Sequence, residues 1–95
     1  MSSSFEWDPV KETTNLLKHG VTFAEAQLEF LDSSRVIARD VAHSQDEERW
    51  YCFGVVGNRV MTVRFTYRDK LIRIIGAGYW TRGRRTYEAH SKVHK

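Results

Sequence analysis

Residues 49–77 read RWYCFGVVGNRVMTVRFTYRDKLIRIIGA, and this stretch decides the fold. Two turn signals, Gly57-Asn58 and the segment 68–70, divide it into predicted strands at Arg49–Val56, Arg59–Tyr67 and Leu71–Ala77. A Gly-Asn pair suits a two-residue hairpin. Apolar and polar residues alternate along the middle strand, as expected where one face of a strand is buried. The pattern predicts an antiparallel β meander.

The alternation also assigns side chains to the two faces of the sheet. The core face of the middle strand is predicted to carry Met61, Val63, Phe65 and Tyr67. The opposite face is predicted to carry Thr62, Arg64 and Thr66, with Arg73 of the next strand pointing away from Ile72 and Ile74. We expect the arginines to form a basic, concave surface on a face left open.

The N-terminal part of the chain predicts one strand followed by two helices. Phe5–Trp7 is a short strand, and Asp8-Pro9 is a helix start because aspartate caps free N–H groups and proline suits the first helical position. Gly20 is placed to end this helix in the left-handed conformation. Its predicted apolar surface consists of Val10, Leu16 and Leu17.

Thr22 and Glu25 have the spacing of a capping box, which predicts a second helix that runs to about Leu31. Its core candidates are Phe23, Ala26, Leu28 and Phe30. A short strand at Arg35–Arg39 and a polar loop at residues 43–48 then lead into the meander.

After the meander, Thr81 is predicted to cap a last helix that runs through Tyr87, and residues 79–95 together form this helix and a basic tail. We therefore expect one domain over residues 1–95, of class α+β, with the order β-α-α, an antiparallel β meander and a C-terminal helix. The first two helices are predicted to cover one face of the sheet.

Composition excludes several classes of protein. The single cysteine, Cys52, allows no disulfide framework, and its apolar neighbours predict a buried, inert thiol. No apolar run approaches the roughly 18 residues that span a bilayer, and no signal peptide is recognisable, so we expect no membrane partner and a cytoplasmic protein. Nucleotide-binding motifs are absent, and no cofactor is expected.

The histidines do not predict a metal site. His90 and His94 have helical i, i+4 spacing, but no carboxylate or thiolate lies nearby to complete a coordination shell. His43, Ser44 and Glu47 share one loop, which is a weak signal for a nucleophilic site.

Charge is divided between the two halves of the chain. Residues 1–48 hold four Lys/Arg against ten Asp/Glu, and residues 49–95 hold eleven against two. An asymmetry of this size favours a polyanionic partner. Arginine dominates the basic half, and exposed aromatic residues among arginines suit single-stranded RNA. Tyr79 and Trp80 fit such a surface or the core equally well, and the arginines could instead pair with the acidic helices.

The ordered set of residues resembles the BrnT family of toxins, and the resemblance covers nearly the whole chain. It is carried by an N-terminal group, a central group and a C-terminal group: Phe5-Glu6-Trp7-Asp8-Pro9, Lys11, Asn15, Lys18-His19-Gly20-Val21, Phe23, Ala26; Asp40, His43-Ser44, Glu47, Arg49, Thr66, Arg68, Arg73-Ile74-Ile75; Thr81, Arg82, Arg85, Tyr87-Glu88. The resemblance implies a ribonuclease toxin with a RelE-like fold. It also implies a BrnA-like ribbon-helix-helix antitoxin, with operator DNA reached only through the toxin–antitoxin complex.

On this basis the chain is expected to be a metal-independent endoribonuclease that cleaves mRNA. Lys18 or His19 is the candidate for proton transfer. Phosphate charge would be stabilised by Arg49, Arg73 and Arg82. RNA would be held by Arg64, Arg68, Arg84, Arg85 and Tyr87.

Two segments depart from the family pattern. Where the family has Ile-Ser-Ala-Arg, this chain has Ile75-Gly76-Ala77-Gly78, and where the family has Glu-Arg, it has Arg84-Arg85. A lost arginine at a phosphate site favours the alternative of a degenerate toxin that only binds its antitoxin and regulates transcription. It also predicts that Gly78→Arg would raise toxicity. A plain RNA-binding domain is a third hypothesis, but it leaves the N-terminal motif without explanation.

Overall fold

The structure is a computed structural model that describes residues 4–93, so His94 and Lys95 of the predicted basic tail lie outside it. Five strands form one sheet in the order β1-β5-β4-β3-β2. The strands are β1 (Phe5–Trp7), β2 (Val36–Arg39), β3 (Arg49–Val56), β4 (Arg59–Arg68) and β5 (Leu71–Gly78). The helices are α1 (Pro9–His19), α2 (Phe23–Ala26) and α3 (Thr81–Val93), with 3₁₀ segments at Gln27–Leu31 and Val41–His43. The predicted α+β class and element order are confirmed.

The predicted antiparallel meander is confirmed in β3, β4 and β5. Its pairing places Thr66 between Arg49 and Arg73. β1 adds to the other edge of β5 in parallel, with Glu6 opposite Arg73, so the complete sheet is mixed.

A register shift between β4 and β5 was not predicted. Arg64 pairs with Gly76 and Phe65 pairs with Ile74, which leaves Ile75 as an extra residue in β5. A bulge of this kind changes which face the following side chains occupy. Ile74 and Ala77 therefore both reach the core although they are three residues apart.

The ends of α1 were predicted correctly, but its buried side was not. Asp8 accepts a hydrogen bond from the N–H of Val10 at 2.8 Å, and Gly20 has the left-handed φ of 71°. The predicted apolar surface is wrong because Val10, Leu16 and Leu17 are exposed. The residue of α1 that is buried is Asn15, a polar side chain.

Asn15 joins α1 to the sheet with its amide group. Its nitrogen donates to the carbonyl oxygens of Val21 and Ala77, both at 2.9 Å, and its oxygen accepts from the N–H of Ala77 at 3.2 Å. Ala77 lies on β5 beyond Ile74, the last residue that β1 pairs with. The side chain thus bonds a stretch of strand that β1 does not reach.

The second predicted helix changes its period part-way along. The Thr22–Glu25 capping box is confirmed, but α-helix continues only to Ala26 and a 3₁₀ segment follows. In a 3₁₀ helix, side chains three residues apart lie above one another. Phe23, Ala26 and Glu29 are therefore all buried, and the prediction that Leu28 lies in the core is wrong.

The core lies between the sheet and the helices α1 and α2. Its buried members come from α2 and the residue two positions before it, and from β3, β4 and β5: Val21, Phe23, Ala26, Cys52, Met61, Val63, Phe65, Ile74 and Ala77. The burial predicted for Cys52 is confirmed. The core position predicted for Tyr67 is wrong, because this residue is 54% exposed near the end of β4, where its ring packs edge-on against those of Phe65 and Trp50.

α3 runs longer than predicted and crosses the opposite face of the sheet, the face that the sequence predicted to be open. Its first turn starts at Trp80, whose carbonyl oxygen accepts from the N–H of Arg84 at 3.1 Å. Gly83 allows close approach to the sheet, since a Cβ there would lie 3.0 Å from Phe53. α3 therefore covers one part of this face and leaves a groove beside itself.

Candidate nucleic-acid interface and active site

A groove of about 850 Å³ lies over β3 and β4, between the start of α3 and the 3₁₀ segment Val41–His43. The side chains in its lining that carry a charge or a polar ring are Arg39, Asp40, His43, Tyr51, Arg64, Trp80 and Arg82. Of these, Arg39 is paired with Glu48 at 3.3 Å. We call it the arginine groove. It is the uncovered remainder of the face on which the sequence predicted Arg64.

His43 and Asp40 form a pair at one side of the arginine groove. Nδ1 of His43 lies 3.1 and 3.0 Å from the two carboxylate oxygens of Asp40. Asp40 is 4% exposed, whereas the His43 side chain is 55% exposed. A carboxylate can only accept, so Nδ1 carries a proton and Nε2 is left for other partners. This is the arrangement of an oriented imidazole that can transfer protons.

The loop from residue 40 to residue 49 holds the pair in place. The N–H of Asp40 donates to the carbonyl oxygen of Arg49 at 2.8 Å. The Ser44 hydroxyl donates to the carbonyl oxygen of Asp40 at 2.6 Å and accepts from the N–H of Arg49 at 2.9 Å. Ser44 thus closes the loop, and its position between backbone groups explains its presence without a role as nucleophile.

Arg64 and Arg82 reach the arginine groove from β4 and α3. Among residues 4–93 neither has an acidic partner within ion-pair distance, and the Nε atom of Arg64 is buried without a hydrogen-bond partner. Guanidinium groups that have no carboxylate beside them remain available to bind phosphate. The groove therefore combines an oriented imidazole with two cations that have no ion pair within that range.

The other predicted arginines of the sheet lie outside this groove. Arg73 pairs with Glu6 at 3.3 Å, and Arg68 pairs with Glu47 at 3.2 Å. Arg49 and Arg68 line a neighbouring pocket of about 490 Å³, and His43 lies between that pocket and the arginine groove because it lines both.

Four other predicted site residues lie on helices, two at the end of α1 and two in the first half of α3. Lys18 and His19 are exposed at the end of α1, and the His19 ring packs edge-on against Trp80 with 5.0 Å between centroids. Arg84 and Arg85 are exposed on α3, where Arg84 lies 3.7 Å from Glu88. The role of Lys18 or His19 in proton transfer and the roles of Arg84 and Arg85 in RNA binding stay predictions.

Tyr87, predicted to bind RNA, has its hydroxyl group committed to a structural contact. It donates to Asp32 at 2.7 Å, and this hydrogen bond raises the pKa of Tyr87 to about 12. Burial acts to raise the pKa of Asp32, but hydrogen bonds from Tyr87, Val55 and Ser34 outweigh it and lower that pKa. The contact fastens α3 to the turn before β2.

Within the described range 4–93, no group of three or more His, Cys, Asp or Glu side chains is arranged to hold a metal ion. The helices of the same range are all too short or too polar to cross a membrane.

A family model described as the ribonuclease toxin BrnT of a type II toxin–antitoxin system matches residues 7–83. The chain belongs to the BrnT family. No curated protein matches it. The matched range contains the last residue of β1, all of β2 to β5 and the first residues of α3, so it includes every residue named in the lining of the arginine groove. Membership in the BrnT family confirms the resemblance seen in the sequence and implies an antitoxin as partner.

Sequence reasoning did not connect Asp40 with His43, which it considered only together with Ser44 and Glu47. Asp40 and His43 are three residues apart, and in a 3₁₀ turn this spacing places two side chains on one side. The Asp-x-x-His spacing is thus a usable signal, but only once the turn type is known. For Trp80 the sequence left core and surface equally open, and the structure places it 39% exposed in the groove.

Proposed function

We propose that this BrnT-family chain is an endoribonuclease that cleaves mRNA without a metal ion, and that the arginine groove is its active site. The observation that carries the proposal is the His43–Asp40 pair, with Nδ1 of His43 3.0 Å from the buried carboxylate, in the same groove as Arg64 and Arg82. The α+β arrangement is compatible with the RelE-like fold that the resemblance implies, which we include in the proposal.

The reaction needs side chains for three functions: to accept a proton, to stabilise negative charge and to protonate the leaving oxygen. The ribose 2′-OH attacks the adjacent phosphorus, forming a 2′-O–P bond while the bond from phosphorus to the 5′-oxygen breaks. Nε2 of His43 accepts the proton of the 2′-OH, and Asp40 stabilises the imidazolium that results. Arg64 and Arg82 stabilise the charge that gathers on the phosphorane oxygens. A second group protonates the leaving 5′-oxygen, for which His19 beside Trp80 and the adjacent Lys18 remain the candidates.

Cleavage by purified protein tests this proposal. In the presence of EDTA the wild-type protein should cut single-stranded RNA and leave a 2′,3′-cyclic phosphate. His43→Gln should lower the rate by about 10²- to 10⁴-fold, the usual contribution of a proton-transfer group. The matched control is His90→Gln, a histidine of α3 outside the groove. Cleavage that EDTA abolishes, or that survives His43→Gln unchanged, contradicts the assignment.

We further propose that a BrnA-like ribbon-helix-helix antitoxin inhibits the enzyme and carries it to operator DNA. Two unpaired arginines in a groove would bind an acidic segment as readily as they bind RNA. Coexpression with the neighbouring reading frame should yield a complex that copurifies, and expression of the toxin alone should arrest growth. Recovery of the free protein from the coexpressing strain would count against this partner.

One observation favours the second candidate, a degenerate toxin that only binds its antitoxin. A Cβ at Gly78 would lie 2.6 Å from the Trp80 ring, so Trp80 fills the space in which the family pattern places an arginine side chain. A degenerate toxin would capture the antitoxin but show no RNA cleavage and no growth arrest. The cleavage assay therefore separates the two functions.

A further inference from the structure

Trp80 is held in the arginine groove by two contacts. The six-membered part of its ring lies against Gly78, where an added Cβ would be 2.6 Å from Cζ2 and Cη2. The His19 ring meets it edge-on, with 5.0 Å between centroids and 77° between planes. The backbone is fixed too, because the Trp80 carbonyl oxygen accepts the first hydrogen bond of α3. The ring is therefore oriented by its neighbours.

In spite of these contacts Trp80 stays 39% exposed, and the exposed part lines the groove together with Arg64 and Arg82. The exposed part of the ring is therefore accessible to a ligand in the groove. A flat, rigid aromatic surface next to unpaired guanidinium groups matches one nucleotide of an unpaired strand, since the ring can stack on the base while the cation binds the phosphate.

We propose that Trp80 is a positioning residue that stacks one base of single-stranded RNA, and that Gly78 serves to make room for its ring. This inference rests on the proposed function of the groove and adds the form of RNA that it takes. Bases in a duplex are already stacked and paired, so double-stranded RNA cannot use the ring. In this interpretation the glycine at position 78 is the partner of Trp80 rather than a defect in a phosphate site.

Binding of a non-cleavable oligonucleotide tests the proposal independently of the nuclease reaction. The probe is a fluorescent eight-nucleotide 2′-O-methyl RNA, which lacks the attacking hydroxyl group. Trp80→Ala should weaken its binding by about 10- to 100-fold, the range typical when stacking aromatics are removed. Trp80→Phe should restore most of the affinity. The matched control is Tyr67→Ala, another exposed aromatic residue, which packs with Phe65 and Trp50 away from the groove.

A set of probes with one abasic nucleotide at each position in turn identifies the stacked base. At one position the missing base should cost the wild-type protein as much affinity as Trp80→Ala does, and the two effects should not add. The same RNA in a duplex should bind weakly and be insensitive to Trp80→Ala. If Trp80→Ala does not fold, the wild-type abasic series and Trp80→Phe still decide the question.

The proposal is overturned if Trp80→Ala binds the single-stranded probe as well as wild type does, or if its loss of affinity is equal for every abasic probe. It is also overturned if Trp80→Ala weakens antitoxin capture while RNA affinity is unchanged, because the ring would then belong to a protein interface. Stacking at one position in a protein that cuts no RNA would support the inference and reject the nuclease.

Discussion

Replacement of Glu29 should make the protein more stable at neutral pH. Glu29 is fully buried in the 3₁₀ segment after α2, and neither of its carboxyl oxygens has a partner with full hydrogen-bond geometry. Burial raises the pKa of Glu29 to about 9, and the charge of Asp32 adds to this. The nearby Cys52 thiol and Gly54 N–H offset only part of the rise. The folded protein therefore holds Glu29 protonated at neutral pH.

The size and sign of the effect follow from the two pKa values. In the unfolded chain the pKa of Glu29 is 4.5. Between pH 4.5 and about 9 the folded state holds a proton that the unfolded state has released, so the contribution of Glu29 to stability is most favourable below pH 4.5 and falls as pH rises. One pKa unit corresponds to 1.36 kcal/mol, which gives a decrease of about 3 kcal/mol at pH 7. This is a large share of the 5–15 kcal/mol typical of a domain.

Glu29→Met removes the titrating group and keeps nearly the same length and volume. Urea denaturation should show Glu29→Met to be more stable than wild type by about 3 kcal/mol at pH 7 and by less than about 1 kcal/mol at pH 5. Glu29→Gln is the matched control, since it should lose the same pH dependence but still bury an amide at a cost of about 1–3 kcal/mol. Measurements below pH 8 avoid the Cys52 thiol, whose pKa is 9.0 in the unfolded chain. A stability difference between wild type and Glu29→Met that is the same at pH 5 and pH 7 would refute the argument, because it would mean that Glu29 is ionised in the fold.

Two further predictions concern the anchor of α1 and the charge of the groove. Asn15→Ala should lower the free energy of unfolding by about 3 kcal/mol in a denaturant titration, because three buried backbone groups, two of them on Ala77, lose their partner; an effect below about 1 kcal/mol would contradict it. The double variant Arg64→Gln with Arg82→Gln should reduce the slope of log affinity for single-stranded RNA against log salt by about 1.4, or about 0.7 for each phosphate that is no longer neutralised. Arg59→Gln, which removes a cation that stacks on Tyr79 outside the groove lining, should leave that slope unchanged.

The parts of the fold that the sequence predicted are those that local chemistry determines. The caps at Asp8, Gly20 and Thr22 and the Gly57-Asn58 hairpin depend on hydrogen bonds and φ angles within a few residues, and all of them are present. The prediction from hydrophobic periodicity was wrong in the second predicted helix, which changes from α-helix to a 3₁₀ segment after Ala26. The 3₁₀ segment replaced Leu28 with Glu29 in the core, and no propensity argument places a glutamate there.

The candidate site was predicted less well than the fold because it depends on which elements meet. Arg64 and Arg82 were both predicted as site residues. They line the same groove because α3 crosses the sheet, and nothing in the sequence of α3 indicates which face of the sheet it covers. His43 was considered with Ser44 and Glu47, which follow it in the loop, whereas its partner is Asp40, which precedes it. Trp80 lies in the groove with its ring against Gly78. The sequence did not predict this contact.

The charge division of the chain predicted a polyanionic partner, but ion pairs decide which arginines remain for it. Acidic residues of the first half neutralise arginines around the sheet, as Glu6 does for Arg73 and Glu47 does for Arg68. Arg64 and Arg82 have no such partner among the described residues. An arginine whose charge is balanced by a carboxylate attracts a phosphate only weakly. An arginine without an ion pair keeps its full charge for that interaction. Arg49, in the neighbouring pocket, also has no ion pair among these residues, so the acidic half of the chain reduces the basic field without confining it to one place. Arg64 and Arg82 are the cations it leaves for a phosphate in the groove that also holds the proposed proton-transfer pair and the proposed stacking ring.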